Sequence, residues 1–207
     1  MEEFSSRGIS RLIGVQVDDQ PDIDWKMVHS VISVYLTDPS GDNLIGVLSH
    51  TDSLSILLES GHLIPSESLN ISINSGLIEA VALILEDGRI VPTIDDLLFA
   101  VDRNNADIVR LLLQDGRVDP VTDDETVSPL SVAAYRESLE VLQVLLYDPR
   151  IGSDTADMAL LVAVDEEATE SVRMLVHSGK CTDEGIQSAL IVAVQEGYTQ
   201  EVVDILK

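Results

Sequence analysis

Apolar residues in this chain come in short bursts at helical spacing, and the bursts themselves recur. The tetrads S-I-L-L at 55–58, A-L-I-L at 82–85, R-L-L-L at 110–113, Q-V-L-L at 143–146, R-M-L-V at 173–176 and V-D-I-L at 203–206 share one pattern. Their third residues are Leu57, Ile84, Leu112, Leu145, Leu175 and Ile205. Ten residues before each tetrad stand Ile45, Ser72, Ala100, Ala133, Ala163 and Ala193. From Ser72 onward that residue is small, which suits a first helix packed closely against a second. A pair of short helices cannot bury its apolar face alone, so the repeat predicts a stack of such pairs.

The pattern predicts paired helices over about 43–50 with 53–60, 67–75 with 77–86, and 94–103 with 106–114. Three more pairs follow over 128–136 with 139–147, 156–166 with 169–177, and 186–195 with 199–206. In the central copy Ser128 is a good N-cap, Pro129 suits the first helical position, and Asp148-Pro149 stops the second helix. Gly61, Gly88, Gly116 and Gly179 fall just past second helices, where a left-handed residue is wanted. Upstream, Trp25 to Leu36 reads as a further helix capped by Asp24. With no repeat ahead of it, that helix is expected to close the N-terminal end. Residues 1–41 are accordingly an extension plus capping helix, and residues 42–207 one continuous array.

S-P-L-S-V-A-A at 128–134 resembles the T-P-L-H-x-A-A signature of ankyrin repeats, with Ser for both Thr and His. L-E-V-L-Q-V-L-L after it is similar to the second ankyrin helix, and the spacing approaches that family's period. The resemblance covers roughly residues 42–207, and it implies an all-α, ankyrin-type solenoid of about six helix pairs. The copies near Leu57 and Ile84 are too short for full hairpin fingers.

Composition narrows the function more than it shapes the fold. Aromatic residues make up 3% of the chain, so the core is aliphatic, as thin helical layers require. Cys181 stands alone and excludes an internal disulfide framework; in its turn, G-K-C-T-D, it reads as a small turn residue. M-E-E-F-S-S-R-G lacks a signal-peptide core, and no apolar run reaches membrane length. A soluble intracellular protein is expected.

Catalytic chemistry is hard to find. His29, His50, His62 and His177 fall in unrelated copies without metal-ligand spacing. There is no nucleophile elbow and no phosphate loop. Acidic pairs such as Asp95-Asp96 read as solvated charge. The chain is expected to be no enzyme and to need no cofactor.

Charge is the remaining signal: 37 acidic against 12 basic residues, a formal net charge of −25. Such a field repels nucleic acid and anionic membranes and speeds encounter with basic partners. It also keeps an aliphatic stack soluble. Arg89, Arg117 and Arg150 follow the ends of second helices, where they can bond terminal carbonyls, so they read as structural.

In the ankyrin family the binding face is concave, built from turn tips and first-helix ends. Matching A-A-x-x-G implies Tyr135 and Arg136 on that face, then Asp102 with Arg103, Asp165 with Glu166, and Glu196. Matching the turn before the signature adds Asp124, Glu125, Asp154, Asp157 and Glu184. The resemblance therefore implies a protein-binding module, expected to be monomeric, with an acidic strip for a basic or amphipathic partner and Tyr135 as anchor. An acidic decoy that imitates DNA is the alternative.

Overall fold

The structure, a computed structural model, describes residues 5–18, 20, 22–122 and 127–207. The chain divides into two compact units, Met1–Val91 and Pro92–Lys207. Among the described residues both are wholly helical, without strand.

The first unit holds α1 (Ser6–Ile13), α2 (Trp25–Thr37), α3 (Gly41–Leu48), α4 (Thr51–Glu59), α5 (Ser68–Asn74) and α6 (Ile78–Asp87). Asp24 accepts from the N–H groups of Lys26 and Met27 at 3.1 and 3.2 Å, capping α2 as its position predicts. Val28, Ile32 and Tyr35 of α2 are buried, and the helix packs on α3 and α4. A second helix, α1, precedes it and packs on it, burying Ile9 and Ile13. The sequence reading left α1 inside the extension. Eight residues with two buried isoleucines carry too short a period to stand out. Pairs α3/α4 and α5/α6 then stack, first helix on first and second on second.

The second unit repeats the same step through α7 (Ile94–Asp102), α8 (Ala106–Asp115), α9 (Pro129–Tyr135) and α10 (Leu139–Tyr147). It continues through α11 (Ser153–Asp165), α12 (Thr169–His177), α13 (Asp183–Glu196) and α14 (Gln200–Ile205). First helices α7, α9, α11 and α13 pack in sequence, as do second helices α8, α10, α12 and α14. Each unit is thus a solenoid stack, as the alternating tetrads and small residues require. Ala100, Ala133, Ala163 and Ala193 are fully buried, as are Leu112, Leu145 and Leu175. Ser128 accepts from the Ser131 N–H at 3.0 Å with Pro129 at the first helical position.

Polar bonds tie successive copies at their turns. The Arg89 guanidinium pairs with Asp87 at 2.6 Å and donates to the carbonyls of Leu58 and His62 at 3.1 and 3.0 Å. Arg150 does the same with Asp148 at 2.7 Å and with the carbonyls of Leu113 and Val118 at 3.2 and 2.6 Å. Lys180 takes this place one copy later, donating to the carbonyls of Asp148 and Ile151 at 2.9 and 2.7 Å. These cations do bond terminal carbonyls, but the carbonyls belong to the preceding copy. The guanidinium beside each holds the Asp87 and Asp148 carboxyls below the usual range.

Candidate functional site

From α5/α6 onward the hairpin between first and second helix carries one residue in the left-handed conformation. Gly76 and Gly197 supply it at φ 68° and 75°, but Asn104, Glu137 and Glu167 occupy the same step at φ 54°, 50° and 52°. That conformation strains a residue with a side chain by about 1 kcal/mol. Both glutamates make use of the position. Glu137 accepts from the Glu170 N–H at 3.1 Å, and Glu167 from the Thr199 N–H at 3.0 Å. Each carboxylate so caps a second helix of the next copy, and each stands just beyond the end of a first helix.

Those first-helix ends carry the exposed charges. Asp102 closes α7 and Arg103 follows it; Tyr135 closes α9 and Arg136 follows it. Arg136 reaches back to pair with Asp102 across adjacent copies. Asp165 closes α11, Glu166 and Glu167 follow, and Glu196 closes α13. All are exposed, and among the described residues Asp165, Glu166 and Glu196 form no ion pair. Acids at helix C-termini oppose the negative end of the macrodipole, by about 0.3–1 kcal/mol each.

Tyr198 sits among these carboxylates. Its phenol is pushed up first by burial and then by Asp165, Glu196, Glu167 and Glu166. The ring is half-buried, and its N–H closes the end of α13 on the Ala193 carbonyl at 3.0 Å. Pattern matching singled out Tyr135, which is 53% exposed, and passed over Tyr198. In the register of the repeat Tyr198 stands where Ser138 and Ala168 are buried. A bulky residue where the two preceding copies carry a small one, inside E-G-Y-T-Q-E, is the signal that identifies it.

The turn-tip residues form a separate group. Asp154 and Glu184 are exposed in the first turns of α11 and α13, where a carboxylate favours the helix. Along α11, at about 1.5 Å per residue, Asp154 stands roughly 16 Å from Asp165. Asp157 is half-buried and engaged, accepting from the Thr182 N–H at 2.8 Å and the Thr182 hydroxyl at 2.6 Å. Asp124 and Glu125 lie outside the described residues.

On the outer side, α10 and α12 border a cleft of about 660 Å³ lined by Leu146, Tyr147, Met174 and His177. Burial pushes the Cys181 thiol up to about 12, with Asp157 adding to it, so it is no thiolate. Among the described residues no group of three or more His, Cys, Asp or Glu is placed to hold a metal ion. No helix is long and apolar enough to cross a membrane.

No protein-family model matches the sequence, and no curated protein matches it. Among solved structures, that of EF0377, an ankyrin repeat protein, superposes with a TM-score of 0.59 at 20% identity. The match covers 78% of this chain and 96% of that one. Helix pairing, the register of small residues and this superposition agree: the chain has the ankyrin-repeat fold.

Proposed function

We propose that this protein is a protein-binding module that takes a basic segment of its partner at the first-helix ends of the second unit. The observation that carries the reading is the group of Asp165, Glu166, Glu167 and Glu196 around Tyr198. Three of these carboxylates stand at helix C-termini without an ion pair among the described residues, where helix stability disfavours them. A lysine or arginine from a partner supplies the missing positive charge, and the half-buried ring offers it an aromatic edge or face. Glu167 is committed to its cap and adds field. Tyr135, with Arg136 and Asp102, extends the same row of helix ends and supplies a second aromatic contact.

Carboxylates gathered at the ends of α11 and α13 favour this reading over an imitation of DNA, which wants even spacing along a face. The test is a panel of lysine- and arginine-rich peptides, with short duplex DNA as competitor for captured host proteins. Tyr198→Ala is expected to weaken the best peptide by about 2 kcal/mol, mainly through faster dissociation. Asp165→Lys with Glu166→Lys is expected to slow association and flatten its salt dependence. Unchanged affinity in both variants would sink the assignment. Release of captured proteins by DNA, steep in salt and indifferent to Tyr198→Ala, would point to the decoy instead.

A further inference from the structure

We propose that the cleft between α10 and α12 binds a small amphiphilic carboxylate, with its apolar body along the helices and its head group at Lys180. The inference is independent of the helix-end row. In three copies the cation that follows a second helix has its own aspartate two residues earlier: Arg89 with Asp87, Arg117 with Asp115, and Arg150 with Asp148. One copy later the same step reads Ser178-Gly179-Lys180. Ser178 keeps the aspartate's backbone contact. Its hydroxyl oxygen accepts from the Lys180 N–H at 3.2 Å, as Asp148 accepts from the Arg150 N–H at 2.9 Å. It brings no charge, and the Asp148 carboxylate is held by the Arg150 guanidinium at 2.9 and 2.7 Å. The Lys180 ammonium donates to two carbonyls and forms no ion pair among the described residues. One of its three protons is left for a ligand. In a protein of net charge −25 this turn carries a local excess of positive charge, and His177 stands exposed beside it in the last turn of α12.

The remaining lining chooses the occupant. Leu146, Met174 and Tyr147 supply apolar surface, and the Tyr147 ring is 80% exposed. Glu170, in the first turn of α12, lines the other end, about 10 Å along the helix from His177. Arg173 lies between them, but Glu170 and Glu201 already engage it at 3.4 and 3.0 Å. The volume of about 660 Å³ falls in the range of small-molecule sites. A cation in this cleft would meet Lys180, and a second anionic group would meet Glu170. What fits both ends is a monocarboxylate with an aliphatic or aromatic body, in one orientation.

Calorimetric titration of the full chain with decanoate, decanol and decylamine tests the inference. We expect saturable binding of decanoate, weaker binding of decanol and none of decylamine. Decanoate should also shift the methyl resonance of Met174. Ser178→Asp restores the turn of the other copies, so it should fold like the parent and weaken decanoate roughly tenfold or more. Tyr147→Ser, at an exposed position, should weaken it several-fold. Ser188→Asp adds the same charge on the exposed side of α13 and should leave binding unchanged. A parent that ignores decanoate at millimolar concentration, equal binding of decanoate and decylamine, or indifference to Ser178→Asp would overturn the inference. Saturation by an acidic amphipathic peptide without binding of decanoate would overturn it in favour of protein docking.

Discussion

Asp157 of α11 performs for Thr182 what Asp96 performs for Thr93 within one helix. Thr93 donates from its N–H and its hydroxyl to Asp96, both at 2.8 Å, three residues on in the same first turn. Thr182 makes the same pair of bonds to a carboxylate from the preceding copy, because its own third position is Gly185. A Cβ on Gly185 would lie 2.2 Å from the Asp157 carboxylate. The glycine makes room for a capping box completed from a neighbour.

Gly185→Ala is therefore expected to displace Asp157 and destabilise the second unit by about 1–3 kcal/mol. Adding Asp157→Ala should cost little more, since the bond is already lost. Gly185→Asp with Asp157→Ala rebuilds the arrangement of Thr93 and should recover part of the loss. Urea unfolding of these four proteins and of Asp157→Ala alone decides it; simple additivity would refute the coupling.

Acid sensitivity follows from the turn aspartates. A guanidinium two residues on is the leading cause that holds Asp87, Asp115 and Asp148 below their usual range. A carboxyl so depressed contributes stability that is fully present above its unfolded value, about 3.9. That contribution fades as pH falls through the lower folded value. Asp148→Asn should thus be less stable than the parent at neutral pH, with the gap closing below about pH 4. A gap that stays constant down to strong acid would contradict the assignment.

Glu137 sets a cap against a strained backbone. Glu137→Ala removes the bond to the Glu170 N–H and keeps the left-handed strain, for an expected loss of about 1 kcal/mol. Glu137→Gly also loses the bond but relieves the strain, so it should lie between Ala and the parent or match the parent. Melting temperatures in the order parent, Ala, Gly would count against this account.

Ser171 is fully buried in α12, and its hydroxyl has no hydrogen-bond partner among the described residues. Val141 and Ile108 fill the corresponding position in α10 and α8, both fully buried. Ser171→Ala should stabilise the protein by about 1 kcal/mol by removing a desolvated hydroxyl. Chemical unfolding that shows a loss would mean the hydroxyl is satisfied.

What could be read from residues alone was set by local period. Helix pairs, the Ser128 and Asp24 caps and the glycine turns all express spacings within about ten residues, and the structure reproduces them within a few positions. What could not be read depends on contacts between copies. Asp157 looked like a turn acid because nothing local marks its bond to a threonine 25 residues on. Tyr198 was hidden by a pattern match that stops at Gly197. The carbonyls met by Arg89 and Arg150 lie 31 and 37 residues back. The α1 helix was overlooked because its support comes from α2 and not from any repeat.

These cross-copy bonds also give every repeat an address. Thr182 and Gly185 fit only behind a first helix that offers a carboxylate six residues before its small residue. In α11 that residue is Asp157; one copy earlier the same step falls on Val127. Excising residues 152–181 or exchanging neighbouring copies would preserve the helical period while leaving Thr182 and Gly185 without their carboxylate. The array is periodic in shape and aperiodic in its fastenings, so its copies cannot be shuffled like those of a consensus solenoid. A gene that gains or loses one unit by recombination would have to repair a boundary before the stack closed again.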